Sequence, residues 1–211
     1  MILVVCCEKG GAGKSSLAQT LAVYLKLNDK DVLLVDADPQ RTTADWAEDR
    51  VEANFPRIPC VEKLGNITAD LKDLSGRYDV VVVDCGGADS KAMRSALAIS
   101  DRALIPFRPK RRDLKTAPKM AEIIEQAQAL NPNLIVRSVV TQVPTLPSQA
   151  NRILNAKRLL ASLDLSPLEH ITRNLNSWDD AEEAGGSVLE YEDEKAASDA
   201  NAVFNEFLGG A

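Results

Sequence analysis

Little in this sequence invites metal-cluster or membrane chemistry. A single histidine and four cysteines are spread over 211 residues. Cys6, Cys7, Cys60 and Cys85 form no C-x-x-C pair, so a zinc or iron–sulfur site is not signalled and the thiols read as reduced and packed. No apolar run approaches the roughly 18 residues of a membrane span. The opening MILVVCCEKGG has neither the basic region nor the cleavage site of a secretory signal, which points to the cytoplasm. Repeats and low-complexity linkers are also missing, and collagen-like, disordered and disulfide-scaffold classes are excluded. Basic residues are outnumbered, 25 against 31 acidic, for a net charge of −6. A chain that coats nucleic acid or anionic lipid over its whole surface is therefore unexpected, whereas a local basic patch is compatible. What the chain has is a 45% apolar composition, ample for one domain over residues 1–211.

Short apolar runs alternate with helix-period segments, the pattern of an α/β fold with a doubly wound, mostly parallel sheet covered by helices on both faces. The expected strands are Ile2–Cys7, Val32–Val35, Val80–Val83, Ala103–Ile105 and Leu134–Val140, each continuously apolar as strands buried on both faces are. Helices are expected over Ser16–Leu27, where Leu17, Leu21, Tyr24 and Leu25 form one stripe, and over Asp113–Leu130, Gln149–Leu163 and Tyr191–Leu208.

Charge is uneven along the chain. From Arg102 to Lys119 seven basic residues face one acidic residue, Asp113, while from Asp179 to Glu206 ten acidic residues face only Lys195. The acidic tail reads as a solvated helix face. In the basic segment Pro106 and Pro109 hold a loop from which Lys110, Arg111 and Arg112 project, and it reads either as a solvated loop or as an anion-binding patch.

Directly after the first strand comes Glu8-Lys9-Gly10-Gly11-Ala12-Gly13-Lys14-Ser15-Ser16, then a helix. This is the frame of a phosphate-binding P-loop. The glycines let backbone N–H groups turn inward, the helix N-terminus adds positive potential, Lys14 neutralises the β and γ phosphates, and the Ser15 hydroxyl suits Mg²⁺. Val32–Val35 runs into Asp36-Ala37-Asp38-Pro39-Gln40, bringing two carboxylates to the end of a buried strand, the edge at which doubly wound sheets bind ligands. A plainer account is that both aspartates cap a turn before Pro39. Val80–Val83 ends in Asp84, the arrangement in which a carboxylate holds Mg²⁺ directly or through water.

Together and in this order these motifs resemble the deviant Walker A ATPases of the ParA/MinD family. Lys9 and the Asp36-Ala-Asp-Pro-Gln40 stretch carry the resemblance. It implies that Lys9 reaches across a dimer interface to the partner's nucleotide, that Asp38 positions the attacking water with Lys9 and Lys14 completing the catalytic set, and that Asp36 lies near the metal shell of Ser15 and Asp84. The chain departs from the commoner form in having Cys85-Gly86-Gly87 where many members have proline, which is similar to the small ParF-type branch. Two glycines would let that loop rearrange with the γ-phosphate, and Cys85 reads as a buried, inert thiol. Ile105-Pro-Phe-Arg-Pro109 and Gly185-Gly-Ser-Val188 match further landmarks by position, and Gln142 or Pro144 is expected on the base. The resemblance thus spans nearly the whole chain, with its specific motifs in the first 90 residues.

The implied function is a DNA partition ATPase with ATP and Mg²⁺ as cofactors. It would dimerise around ATP, bind DNA non-specifically on the nucleoid through Arg108, Lys110, Arg111 and Arg112, with Arg152, Lys157 and Arg158 as additions, and hydrolyse slowly until a centromere-binding partner stimulates it. No N-terminal helix-turn-helix extension is expected. A MinD-like positioning ATPase needs a basic amphipathic C-terminal helix, whereas Ala202–Ala211 carries Glu206 and no Lys or Arg, so membrane binding is not expected. An ATP-dependent metabolic ligase of the same fold is the other alternative, and its loop usually lacks a counterpart of Lys9.

Overall fold

A computed structural model describes residues 1–87, 90–146 and 149–209. Its sheet is built from β1 (Ile2–Val5), β2 (Val32–Ala37), β3 (Cys60–Glu62), β4 (Val80–Cys85), β5 (Arg102–Phe107), β6 (Ile135–Val143) and β7 (Pro167–Arg173). Seven strands run in the order β3-β2-β4-β1-β5-β6-β7, and every pairing is parallel. The helices are α1 (Lys14–Leu27), α2 (Thr42–Glu52), α3 (Thr68–Ser75), α4 (Lys91–Leu97), α5 (Arg111–Leu114), α6 (Ala117–Leu130), α7 (Ala150–Ser162), α8 (Ser177–Glu183) and α9 (Glu194–Gly209).

The central strands are runs of Val, Leu and Ile because both of their faces are covered. Val4, Leu33, Val35, Val81, Val83 and Ile105 point to one side, where they meet Leu71, Met93, Leu97 and Met120 of α3, α4 and α6. Leu3, Val5, Leu34, Val82 and Leu104 point to the other, against Leu17 and Leu21 of α1 and Phe204 and Phe207 of α9. This two-residue alternation divides the core into two layers.

The expected helix over Asp113–Leu130 is two helices. Pro118 falls in the first turn of α6, where its missing N–H costs nothing, and the residues before it close the separate turn α5. The acidic tail is not simply solvated. Asp199 takes Arg173 in two contacts of 2.9 and 2.7 Å, Glu190 takes the buried Arg50 at 2.6 Å, and Glu206 accepts from Arg137 and from the backbone of Glu169 and His170. Arg102, counted in the basic segment, donates to Phe207 O at 2.7 Å and closes the end of α9.

Candidate nucleotide site

Sheet order brings the motif-bearing strand ends together. β1 lies between β4 and β5, and the register sets Val5 beside Asp84 and Asp36 beside Asp84. The crevice at the carboxyl ends of β1, β2 and β4 is where an open α/β sheet binds its ligand.

The loop from Glu8 to Gly13 turns on two left-handed glycines, Gly11 at φ 75° and Gly13 at φ 83°, the latter directly before α1. A side chain at either would be strained. The Thr141 hydroxyl donates to Ala12 O at 2.9 Å and the Gln142 amide to Gly11 O at 3.3 Å, which ties the loop to β6. Ala12 buries its methyl group in the core and offers the ligand only backbone. Lys14 is 7% exposed. A cleft of about 340 Å³ opens over Gly10, Gly11, Gly13, Lys14, Ser15 and Ser16, with Asp38, Gln40, Gly87, Gln142 and Glu182 on its other walls. Gly86 and Gly87 are required by close approach rather than by backbone sign. A Cβ at 86 would lie 3.1 Å from the Asp38 carboxylate, and one at 87 would lie 3.1 Å from Gly10 N and 3.4 Å from Lys14 Nζ.

The three aspartates have different jobs. Asp36 accepts from the backbone N–H of Asp38 (2.9 Å), Thr43 (3.0 Å) and Ala44 (2.8 Å), so both of its oxygens tie the loop to the start of α2. Burial pushes its carboxyl up despite these donors. These three backbone bonds give Asp36 an anchoring role between the loop and α2. Asp84 is fully buried, one oxygen accepting from the Thr43 hydroxyl at 2.7 Å, and Oδ1 has no hydrogen-bond partner among the described residues. Desolvation raises it to about 6, against the pull of the Thr43 and Ser15 hydroxyls. An orphaned buried carboxylate oxygen beside Ser15 and Lys14 fits a divalent cation. Asp38 is half-buried on the cleft wall, accepts from Gln40 N at 3.0 Å, and keeps its carboxylate against Gly86.

Lys9 stands at the mouth of the loop, half-buried, with no ion pair among the described residues. Lys110, Arg111 and Arg112 are exposed and also without ion-pair partners among the described residues, and a groove of about 650 Å³ runs from Lys110 and Arg111 to Arg152 on α7. Arg108 does not share that surface. It pairs with the buried Asp113 at 2.6 Å, and its guanidinium stands beside Gly11.

Beyond Ser16 a second cleft of about 120 Å³ is lined by Gly13, Gln142, Thr172, Arg173, Asn174 and Trp178, the right neighbourhood for a base and sugar. Gln142 lines both clefts, in a left-handed conformation at φ 50°. Pro144 does not line either cleft. Sequence reasoning missed Thr43, Asn174, Trp178 and Glu182. Glu182 accepts from the Ser16 hydroxyl at 2.6 Å, so Ser16 faces this carboxylate as well as the cleft. Burial raises Glu182 as well. The only available signals were a Thr pair after Gln40 and an acidic helix following β7.

A glycine loop opening a helix, a buried lysine, and a strand-end aspartate with an unsatisfied oxygen define a P-loop nucleotide-binding domain. Residues 3–177 match the model of the CobQ/CobB/MinD/ParA nucleotide-binding domain, and the chain belongs to that family. It is 32% identical to protein ParA of Rhizobium radiobacter over 67% of this chain and 64% of that one, so it spans under two thirds of that relative. It is 30% identical to maintenance of carboxysome distribution protein A of Gloeobacter kilaueensis over 92% of this chain and 87% of that one. Among solved structures, the ATP complex of Cyanothece McdA(D38A) superposes with a TM-score of 0.79 at 17% identity, covering 99% of this chain and 96% of the other. Septum site-determining protein MinD of Pyrococcus horikoshii with Mg-ADP gives 0.76 at 17% identity, covering 99% and 97%. These structures share the fold.

Proposed function

We propose that this chain is an ATP-dependent partition ATPase: it dimerises around ATP and Mg²⁺, binds DNA without sequence preference, and hydrolyses ATP slowly until a centromere-binding adaptor accelerates it. The observation that carries this reading is Lys9, a second loop lysine with no ion pair among the described residues, in a loop that already has a buried Lys14. A cation so placed is spare within one subunit and useful to a second one. Relatives named ParA and chromosome-partitioning ATPase Soj support partition as the role, and the ATP and Mg-ADP complexes of fold neighbours support the ligands.

In this reading Gly10 to Ser16 hold the phosphates by backbone N–H groups and Lys14. Asp84 and Ser15 hold Mg²⁺, which when bound neutralises charge on the phosphates. Asp38 orients the attacking water and Lys9 stabilises charge on the partner's nucleotide. Lys110, Arg111 and Arg112 hold duplex phosphates, and two such patches become one on dimerisation. In this reading the ATP-bound protein is nucleoid-associated. Size-exclusion chromatography with ATP, with ADP and without nucleotide tests this: a dimer with ATP alone is expected, and a monomer or dimer indifferent to nucleotide would overturn it.

A second reading, positioning of another cargo, is favoured by the 92% coverage shared with a carboxysome-distribution relative. A membrane-directed, MinD-like role has less support, because α9 spends Val203, Phe204 and Phe207 on the core. A ligase would consume a small substrate in step with ATP, and a turnover assay separates it.

A further inference from the structure

Arg108 faces away from the cations that follow it. Its Nε donates to Asp113 Oδ2 at 2.6 Å, and the pair is largely shielded, with side chains 20% and 4% exposed. The opposite edge of the guanidinium lies on the phosphate loop: a Cβ at Gly11 would be 3.6 Å from Nη1 and 3.9 Å from Nη2. One planar group is therefore bonded to α5 and stands next to Gly11.

Asp113 belongs to the same turn that presents Lys110, Arg111 and Arg112 to solvent. The turn is closed on itself, Lys110 N donating to Arg108 O at 2.8 Å, and Asp113 N and Leu114 N donating to Lys110 O at 2.9 and 3.0 Å. It cannot move its cations without moving Asp113. A second tether runs beside it, between Lys119 at the start of α6 and Glu8 of the phosphate loop. The basic segment and the loop are thus joined at two places.

We propose that Arg108 is a positioning residue that couples occupancy of the Lys110–Arg112 turn to the conformation of the phosphate loop. The proposal rests on reading the loop as an ATP site and the turn as a DNA surface. A polyanion across the three cations restrains the four-residue helix α5 from its exposed residues, while the buried Asp113 holds it from within. Pinning α5 fixes Asp113, Asp113 fixes the guanidinium, and the fixed guanidinium narrows the room open to Gly11, whereas with the turn free it follows α5 and leaves the loop unconstrained. By linkage the effect is reciprocal, so nucleotide on the loop steadies the turn for DNA by the same factor.

The test compares the wild type with Arg108→Gln/Asp113→Asn and with Arg108→Lys. The double variant removes both charges together, so no buried carboxylate is left alone. Affinity for a fluorescent, non-hydrolysable ATP analogue is measured with and without a short random-sequence duplex, and duplex affinity with and without the analogue. Melting temperature and analogue-dependent dimerisation are followed in parallel. The wild type is expected to show two equal ratios, and the double variant ratios smaller by about fivefold or more, with dimerisation and binding of the analogue alone unchanged within about twofold. Arg108→Lys keeps the charge for Asp113 but has no second edge for Gly11, and is expected to stay folded without regaining the coupling. A double variant with wild-type ratios, or one that loses affinity for the analogue alone, overturns the proposal and leaves the partition reading standing. A wild type that binds the analogue but no duplex removes the DNA reading and this proposal together.

Discussion

At the scale of single residues, the site is governed by what burial does to charge. Asp84 is held at about 6 because its carboxylate has lost water and gained few donors. Between about pH 4 and about 6 the folded chain keeps a proton that the unfolded chain has released, so this residue's contribution to stability falls as pH rises through that window and levels off above it. Asp84→Asn is accordingly expected to be more stable than wild type near pH 7, by about 3 kcal/mol at most, with the advantage gone below about pH 4. Urea unfolding across that range reads it, and an advantage independent of pH would place the cause elsewhere. The same variant should lose the extra stability that Mg²⁺ adds to nucleotide-bound wild type. For Lys9 and Asp38 the expectation is complementation. Lys9→Ala should bind ATP without dimerising, Asp38→Ala should dimerise without turning over, and their mixture should recover activity in sites that combine the first chain's Asp38 with the second's Lys9. No recovery at any mixing ratio would place Lys9 in its own subunit.

At the scale of elements, α2 is the part that organises the rest. Its N-terminus is tied to Asp36 by two N–H groups and its Thr43 hydroxyl to Asp84, while Gln19 of α1 donates to Thr43 at 3.3 Å. Its far end is locked by Arg50, 1% exposed, which pairs with Glu190 and lies 5.3 and 5.1 Å from the Trp46 and Phe55 rings. Trp46 Nε1 donates to Gly186 O at 2.8 Å, and a Cβ at Gly185 would be 2.8 Å from Arg50 N, so the chain before α9 is pressed onto α2. Arg50→Ala leaves Glu190 without its partner and should cost about 3–5 kcal/mol in chemical denaturation, a loss too large for a surface ion pair. This element was not legible in the sequence. Its stripe runs Trp46, Ala47, Arg50, and a buried arginine looks like a solvent residue until its partner 140 positions away is known. The phosphate loop and the strands ending in Asp36 and Asp84 were legible, because their chemistry is local and their apolar runs are unbroken. β3 is only three residues long and β7 mixes Glu169, His170 and Arg173 into its run, so edge strands with half-exposed faces escaped. Asp36 was legible as a site residue but not as an anchor, since its partners lie across a turn.

At the scale of the whole molecule, an acidic protein must gather its cations to hold a polyanion, and α5 with the neighbouring face of α7 is where they gather. Replacing Lys110, Arg111 and Arg112 together by alanine should lower the slope of log K against log salt by about 0.9 per lost phosphate contact. ATP-dependent dimerisation should be untouched. Anisotropy titrations at two salt concentrations decide it, and equal affinities with equal slopes would remove this turn from the DNA surface. The sheet order has a consequence in time as well as in space. β1 comes first in the chain yet sits in the middle of the sheet, with Ile2 beside Val81 and Val4 beside Ala103. A ribosome must therefore have delivered half the chain before the strand that launches the phosphate loop has both neighbours, and parallel pairings at such separations close slowly. Until β5 arrives, one side of β1's apolar run is an open edge, and the phosphate loop it launches lacks the strand that completes its support.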